Sequence, residues 1–297
     1  MPRLPLATIA ATLYATLYAS GALAVPDFAP TSSSAWYSYS REWMPPLSGS
    51  GPVMQDKAHP RVSNDDFRAT GQQPTPPFAD VSNPILQSWA AAALRKLNAE
   101  TSSGRPFISQ LATCRPLGAL AFDLSPMTRP MFIIQSAKEV TLINESFSEI
   151  RHIYLTDRHR PNLNPSWEGD SIGHYEHDTL VVDTVGFNDK TYVDGFKTPH
   201  TTHLHTIERF HMVDGGSELQ VDVHVEDPGA FTTAWNATMR YRKFELVAAR
   251  AKQTGVQLAA LATPEEGPLN EAICAESPNS LMFAPGYAVP RADRPDF

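Results

Sequence analysis

One tight turn constrains this chain more than any other feature. Val213-Asp-Gly-Gly216 separates two runs of alternating character, and Asp214-Gly215 reads as a two-residue type I′ turn. That turn would pair Phe210 with Leu219, Glu208 with Val221, His205 with His224 and His203 with Glu226. Side chains in a strand alternate between faces. Leu219, Val221, Val223 and Val225 therefore share a face with Leu204, Thr206, Glu208 and Phe210. The opposite face carries His203, His205, Ile207 and Arg209 with Asp222, His224 and Glu226. Such a polar face is either the solvated outside of a sheet or the wall of a barrel interior. The expectation is the wall, with His205 facing a cavity and Arg209 beside it.

Short β-branched or aromatic runs surround this hairpin. Met131–Ile134, Val140–Ile143, Ile150–Leu155 and Thr179–Thr184 all read as strands. Asn83 to Glu100 reads as a helix capped by Asn83, with Pro84 in its first turn and Ile85, Leu86, Trp89, Ala93 and Leu97 on one stripe. Prolines crowd the stretch between Pro26 and Pro84 and the last thirty residues, so both ends read as extended arms. The expected fold is mainly β: an antiparallel barrel of the calycin or lipocalin type, with one N-terminal helix and two arms. Residues 1–24 read as a signal peptide, 25–82 as an extended arm and 83–297 as helix plus barrel.

The leader follows from Arg3, an apolar stretch from Leu6 to Ala24, and Ala22-Leu23-Ala24 as a cleavage site. It implies the secretory route, as a secreted or lumenal protein without a stable membrane anchor. Cys114 and Cys274 would pair in an oxidising compartment. Asn144 and Asn236 stand in glycosylation sequons. A net charge of −8 and the lack of a basic block argue against nucleic acid as a partner.

Seven of the ten histidines lie between Ser166 and Phe231, so chemistry is expected there. Candidate acid–base residues are His205, His224, Glu226, Arg209 and His200. Candidate substrate contacts are His203, Asp170, Trp167, Tyr175, Phe187 and Trp235, which offer aromatic walls and a few polar groups. No metal is expected; the alternative is a site of His203, His205 and His224. Gly169-Asp-Ser-Ile-Gly173 has the spacing of a nucleophile elbow, but the flanking strand and helix that Ser171 would need are not indicated.

Trp167–Asp189, His200–Phe210 and Glu226–Thr232 resemble a family of secreted, mostly uncharacterised bacterial and fungal proteins. Its pattern runs W-x-G-D-S-x-G, then D-T-L-V-V-D-T, then P-H-T-x-x-L-H-x-x-E-R-F. His200, His205, Glu208 and Arg209 are motif positions in that resemblance. The leader, sequons and long termini are also similar in general character to fungal hetero-Diels–Alderases of tropolonic sesquiterpenoid pathways. That likeness implies an enzyme of cyclase, lyase or isomerase type acting on an apolar small molecule without a cofactor. Loss of water would give a quinone methide, which a terpene alkene would then trap. The alternatives are a metal-dependent hydrolase or lyase and a non-catalytic lipocalin-like carrier.

Overall fold

The computed structural model describes residues 25–28, 35–38, 53–62, 70–73, 75–105, 115–120, 130–144 and 149–243. The expected leader, both cysteines and the C-terminal arm beyond 243 lie outside them. Among the described residues, nine strands form a closed barrel in sequence order. They are β1 (Ala35–Ser38), β2 (Pro130–Gln135), β3 (Glu139–Asn144), β4 (Glu149–Tyr154) and β5 (Asp170–Glu176), followed by β6 (Thr179–Val185), β7 (His205–Val213), β8 (Glu218–Glu226) and β9 (Trp235–Lys243). The residues read as an extended arm thus supply β1, which pairs with both β2 and β9 and closes the ring.

Nine strands cannot alternate in direction all the way round a ring, so at least one neighbouring pair must be parallel. That pair is β4 with β5. The chain leaves β4 at Tyr154 and must return to the level at which that strand began. Residues 155–169 make this return. They carry His159 to the outside of the barrel and Glu168 to one of its ends. Gly169 closes the return with a φ of +70°, and a Cβ there would lie 2.7 Å from the Val185 carbonyl oxygen. Only glycine fits that approach without strain.

The central hairpin forms, but two residues out of the expected register. Val213 pairs with Glu218, so four residues, Asp214 to Ser217, make the connection in place of two. Asp214 and Gly215 both have positive φ, as expected, but the turn is of 3₁₀ type. His205 consequently faces Glu226, and Ile207 faces His224. A slip of two preserves side-chain parity, so the two faces keep their expected membership.

Their orientation is the reverse of the expectation. Leu219, Val221, Val223 and Val225 are buried together with Thr206, Glu208 and Phe210. The histidine face lies outside, with the His205 side chain 30% exposed. The physical reason is the valine stripe, which gains most by leaving water, and in a closed barrel the surface removed from water by the sheet itself is the inner one. Val182, Leu180, Leu142, Val140, Ile153, Met239 and Trp235 complete the inner lining from the other strands.

The helix α1 runs from Ser88 to Ser102 and starts later than expected. Asn83 instead accepts a hydrogen bond from the Ile85 amide and caps a separate turn. Ile85 packs into the core from that turn, and Leu86 bridges to Phe231. Ala90, Ala91 and Leu94 form the buried helix face, while Trp89 lies outward and donates its indole N–H to the Gly229 carbonyl at 2.6 Å. Among the described residues no helix is long and apolar enough to cross a membrane.

The inside–outside assignment has a direct test. Val223→Thr should destabilise the fold by about 1–3 kcal/mol in urea denaturation, because it puts a hydroxyl in the apolar lining. His205→Ala should cost less than about 1 kcal/mol, as expected for partly exposed ion pairs. The reverse ranking would invert the assignment.

Candidate functional site

Two clusters of polar side chains sit on opposite sides of the same barrel wall. The inner one begins with parity. Glu149 and Arg151 on β4 share a face with Ile153, and Glu208 on β7 shares one with Phe210. Each strand's apolar residues draw that face inward, and the charged residues go with it. Arg151 is 1% exposed and Glu208 0% exposed. The guanidinium grips the carboxylate through both terminal nitrogens, with Nη1 to Oε1 at 2.8 Å and Nη2 to Oε2. Its Nε donates to Ser171 Oγ at 3.2 Å, and Nη2 donates also to Thr184 Oγ1 at 2.9 Å. Ser171 and Thr184 bond each other at 2.9 Å. Ser171 is therefore a buried strand residue, not a nucleophile on an elbow.

Two further carboxyl groups stand beside this satisfied pair. Glu149 is 7% exposed and accepts the Leu117 amide on one oxygen, while its Oε2 has no hydrogen-bond partner. Glu168 Oε2 is likewise buried without a partner. Burial pushes the Glu149 carboxyl up to about 7, against the pull of the Leu117 amide. Burial also raises Glu168, to about 8; Glu149 adds to this, Arg151 opposes it, and Glu208 adds again. Thr206 Oγ1 is a third buried, unpartnered atom at this end of the barrel. None of these four charged interior residues figured as a chemical candidate except Glu208, through the motif resemblance. For the three on strands the available signal was a charged residue sharing parity with an apolar stripe; Glu168, on a loop, carried none.

The outer cluster is the one whose histidines drew the sequence reading. Glu226 reaches both His224 Nε2 (3.0 Å) and His205 Nδ1 (3.6 Å). His205 Nε2 reaches Asp183 Oδ1 at 3.1 Å, and the same oxygen meets His159 Nε2 at 3.0 Å. His159 Nδ1 then meets Asp170 Oδ2 at 3.0 Å. Carboxylates and imidazoles thus alternate across four neighbouring strands. Burial pulls His224 down, but Glu226 and Asn236 together hold it above its ordinary value. His224 holds Glu226 below the usual carboxylate range, with a smaller part from His205. For Asp170, burial is outweighed by His159 and Arg160, and its carboxyl is held low. His159 went unnoticed because it lies on the loop before the histidine-rich stretch, where no strand periodicity assigns it to a face.

The remaining expected site residues scatter. Arg209 points outward and pairs with Glu176 at 2.7 Å. His200 is buried in a loop, its Nδ1–H donating to the Thr201 carbonyl and its Nε2 accepting from Thr191 Oγ1 at 2.7 Å. Burial lowers its pKa, which suits a neutral structural imidazole. The His203 ring sits by Thr201, so the three-histidine metal set does not assemble. Among the described residues no group of three metal-ligating side chains converges. Trp235 and Tyr175 line the barrel interior at opposite ends, and Phe187 packs edge-on to His200. Trp167 is half-buried next to Glu168. Asn144 is 5% exposed and faces inward opposite Glu149, where a glycan has no room; Asn236 faces outward and accepts from His224.

Comparison with known proteins finds no family model that matches the chain and no curated protein similar to it in sequence.

Raised carboxyl values have a consequence for stability. Glu149 and Glu168 bind protons more tightly folded than unfolded, so their contribution is fully present below 4.5 and is lost as pH rises through about 7 and about 8. The Tm should fall across that interval. Glu168→Gln should flatten the upper part of the decline, and an unchanged slope would show that Glu168 is ionised in the fold.

Proposed function

We propose that this protein is an enzyme acting on a small, largely apolar molecule at the polar end of its barrel, with Glu168 as general acid and Glu149 as general base. The observation that carries this reading is a pair of carboxyl groups, Glu149 buried and Glu168 half-buried, each with a buried, unpartnered oxygen, beside an arginine already committed to another carboxylate. Buried polar atoms are normally satisfied, so such a pair is expected to meet a ligand. The two acids also suit opposite roles. Near neutral pH Glu168 holds its proton and Glu149 is partly ionised.

Loss of water from a hydroxylated substrate uses both. Glu168 gives its proton to the departing hydroxyl as the carbon–oxygen bond breaks. Glu149 takes the proton from a second hydroxyl, whose oxygen becomes a carbonyl. Water leaves, and a neutral quinone methide remains. The proton returns from Glu149 to Glu168, the group with the higher affinity for it. Trapping of that intermediate by a terpene alkene is the hetero-Diels–Alder version, and it needs no cofactor. Such a step is favoured where water is excluded and the two reactants are held together. In this reading the catalytic residues lie inside the barrel, and His205, His224 and Arg209 on its outside take no part.

The test uses a hydroxymethyl tropolone with an acyclic or macrocyclic terpene triene, following the cycloadduct by mass spectrometry. Turnover should peak between about pH 7 and 8, where Glu149 is ionised and Glu168 is not. Glu168→Gln and Glu149→Gln should each lower it by about 100-fold or more with the fold intact. Equal turnover in both variants and wild type would refute the assignment, and a loss confined to His205→Ala would return the site to the outer face.

A further inference from the structure

We infer that the Thr206 hydroxyl is a recognition element for an oxygen-bearing ligand, selecting hydroxylated over deoxygenated forms of one apolar molecule. This rests on the interior site proposed above and adds the group that reads the substrate. Thr206 is 1% exposed, and its Oγ1 has no hydrogen-bond partner. Its cross-strand neighbours on the inner face are Thr184 and Val225. The Thr184 hydroxyl, the one polar group directly opposite, is already engaged by Arg151 and Ser171. On the other side stand Val225 and then the fully buried Trp235, a largely apolar wall whose one polar group is the indole N–H. A buried hydroxyl with neither donor nor acceptor satisfied is a net cost to folding.

Valine would remove that cost. It has the same branched shape and at least as strong a preference for a strand, and the inward positions of the facing strand at Val221, Val223 and Val225 all use it. The structural requirement at Thr206 is therefore met by valine, and the hydroxyl is surplus to it. A hydroxyl both donates and accepts, so it fits a ligand hydroxyl or carbonyl oxygen. The tryptophan and valine wall beside it fits the apolar body of the same molecule. The ligand class is an aromatic or polyene skeleton bearing at least one hydroxyl, oriented with that oxygen toward β7.

The experiment compares two probes that differ by a single hydroxyl, 2-hydroxybenzyl alcohol and o-cresol. Their dissociation constants are measured by calorimetry for wild type, Thr206→Val and Thr206→Ser, with a thermal melt of each variant. Wild type should prefer the alcohol by about tenfold, the value of one well-made hydrogen bond. Thr206→Val should lose most of that preference while its Tm stays level or rises, and Thr206→Ser should keep the preference. Full preference in Thr206→Val, no preference in wild type, or binding of neither probe would overturn the inference. So would a lower Tm for Thr206→Val, which would place a satisfied structural hydroxyl or a buried water there. A flat Thr206→Val result beside an inactive Glu168→Gln would remove this inference alone. An active Glu168→Gln beside a lost preference would remove the acid assignment alone.

Discussion

The buried Arg151–Glu208 pair is the interaction on which the rest of this molecule depends. Each charge taken from water costs on the order of several kcal/mol, and the pair is held only because its geometry repays that cost. The bidentate grip does part of it. Ser171 and Thr184 take up two more guanidinium hydrogens from the two intervening strands. One side chain on β4 therefore ties together β5, β6 and β7 from the inside. The strand junction it crosses includes the single parallel pair, where only two residues of each strand are in register. Side-chain bonding is thus concentrated where the backbone ladder is shortest.

The same pair shapes what its neighbours can do. The guanidinium is shared among Glu208, Ser171 and Thr184, and its pull on further carboxyl groups is outweighed by burial. Glu149 and Glu168 lie within its field, yet burial dominates both and keeps their proton affinities high. Beside the ion pair, burial favours the protonated form of both acids. The outer wall does the opposite. His159, His205 and His224 meet partly exposed carboxylates in a line, where water screens each contact. Two polar clusters of similar composition thus have different chemistry because one is dry.

Much of the fold was legible in the chain. Alternation in the Leu204–Phe210 and Leu219–Val225 runs sorted the side chains into the right two groups, and this survived a wrong turn type because the error was two residues, not one; which group faces inward was read the wrong way round. The strands β2, β3, β4 and β6 stood out by their β-branched runs. β5 did not, since Asp170-Ser-Ile-Gly173 has two polar residues and a glycine, and its strand character comes from pairing with β6. β1 did not either, because four residues among prolines and serines carry no periodicity. The site was less legible. Histidine density pointed to the outer face, where imidazoles are tolerated because they are wet. Glu208 on the valine face was visible as an anomaly, but its partner Arg151 lies 57 positions away, and a single sequence gives no means of pairing them.

On the reading proposed above, the polar end of this barrel keeps a carboxylic acid protonated at neutral pH. Infrared difference spectroscopy of wild type against Glu168→Gln at pH 7 tests it most directly. The account requires a carbonyl stretch of a protonated carboxylic acid in wild type that is lost in the variant and disappears as pH rises through about 8. A carboxylate band at pH 7 that the variant removes would show Glu168 already ionised and would contradict the account.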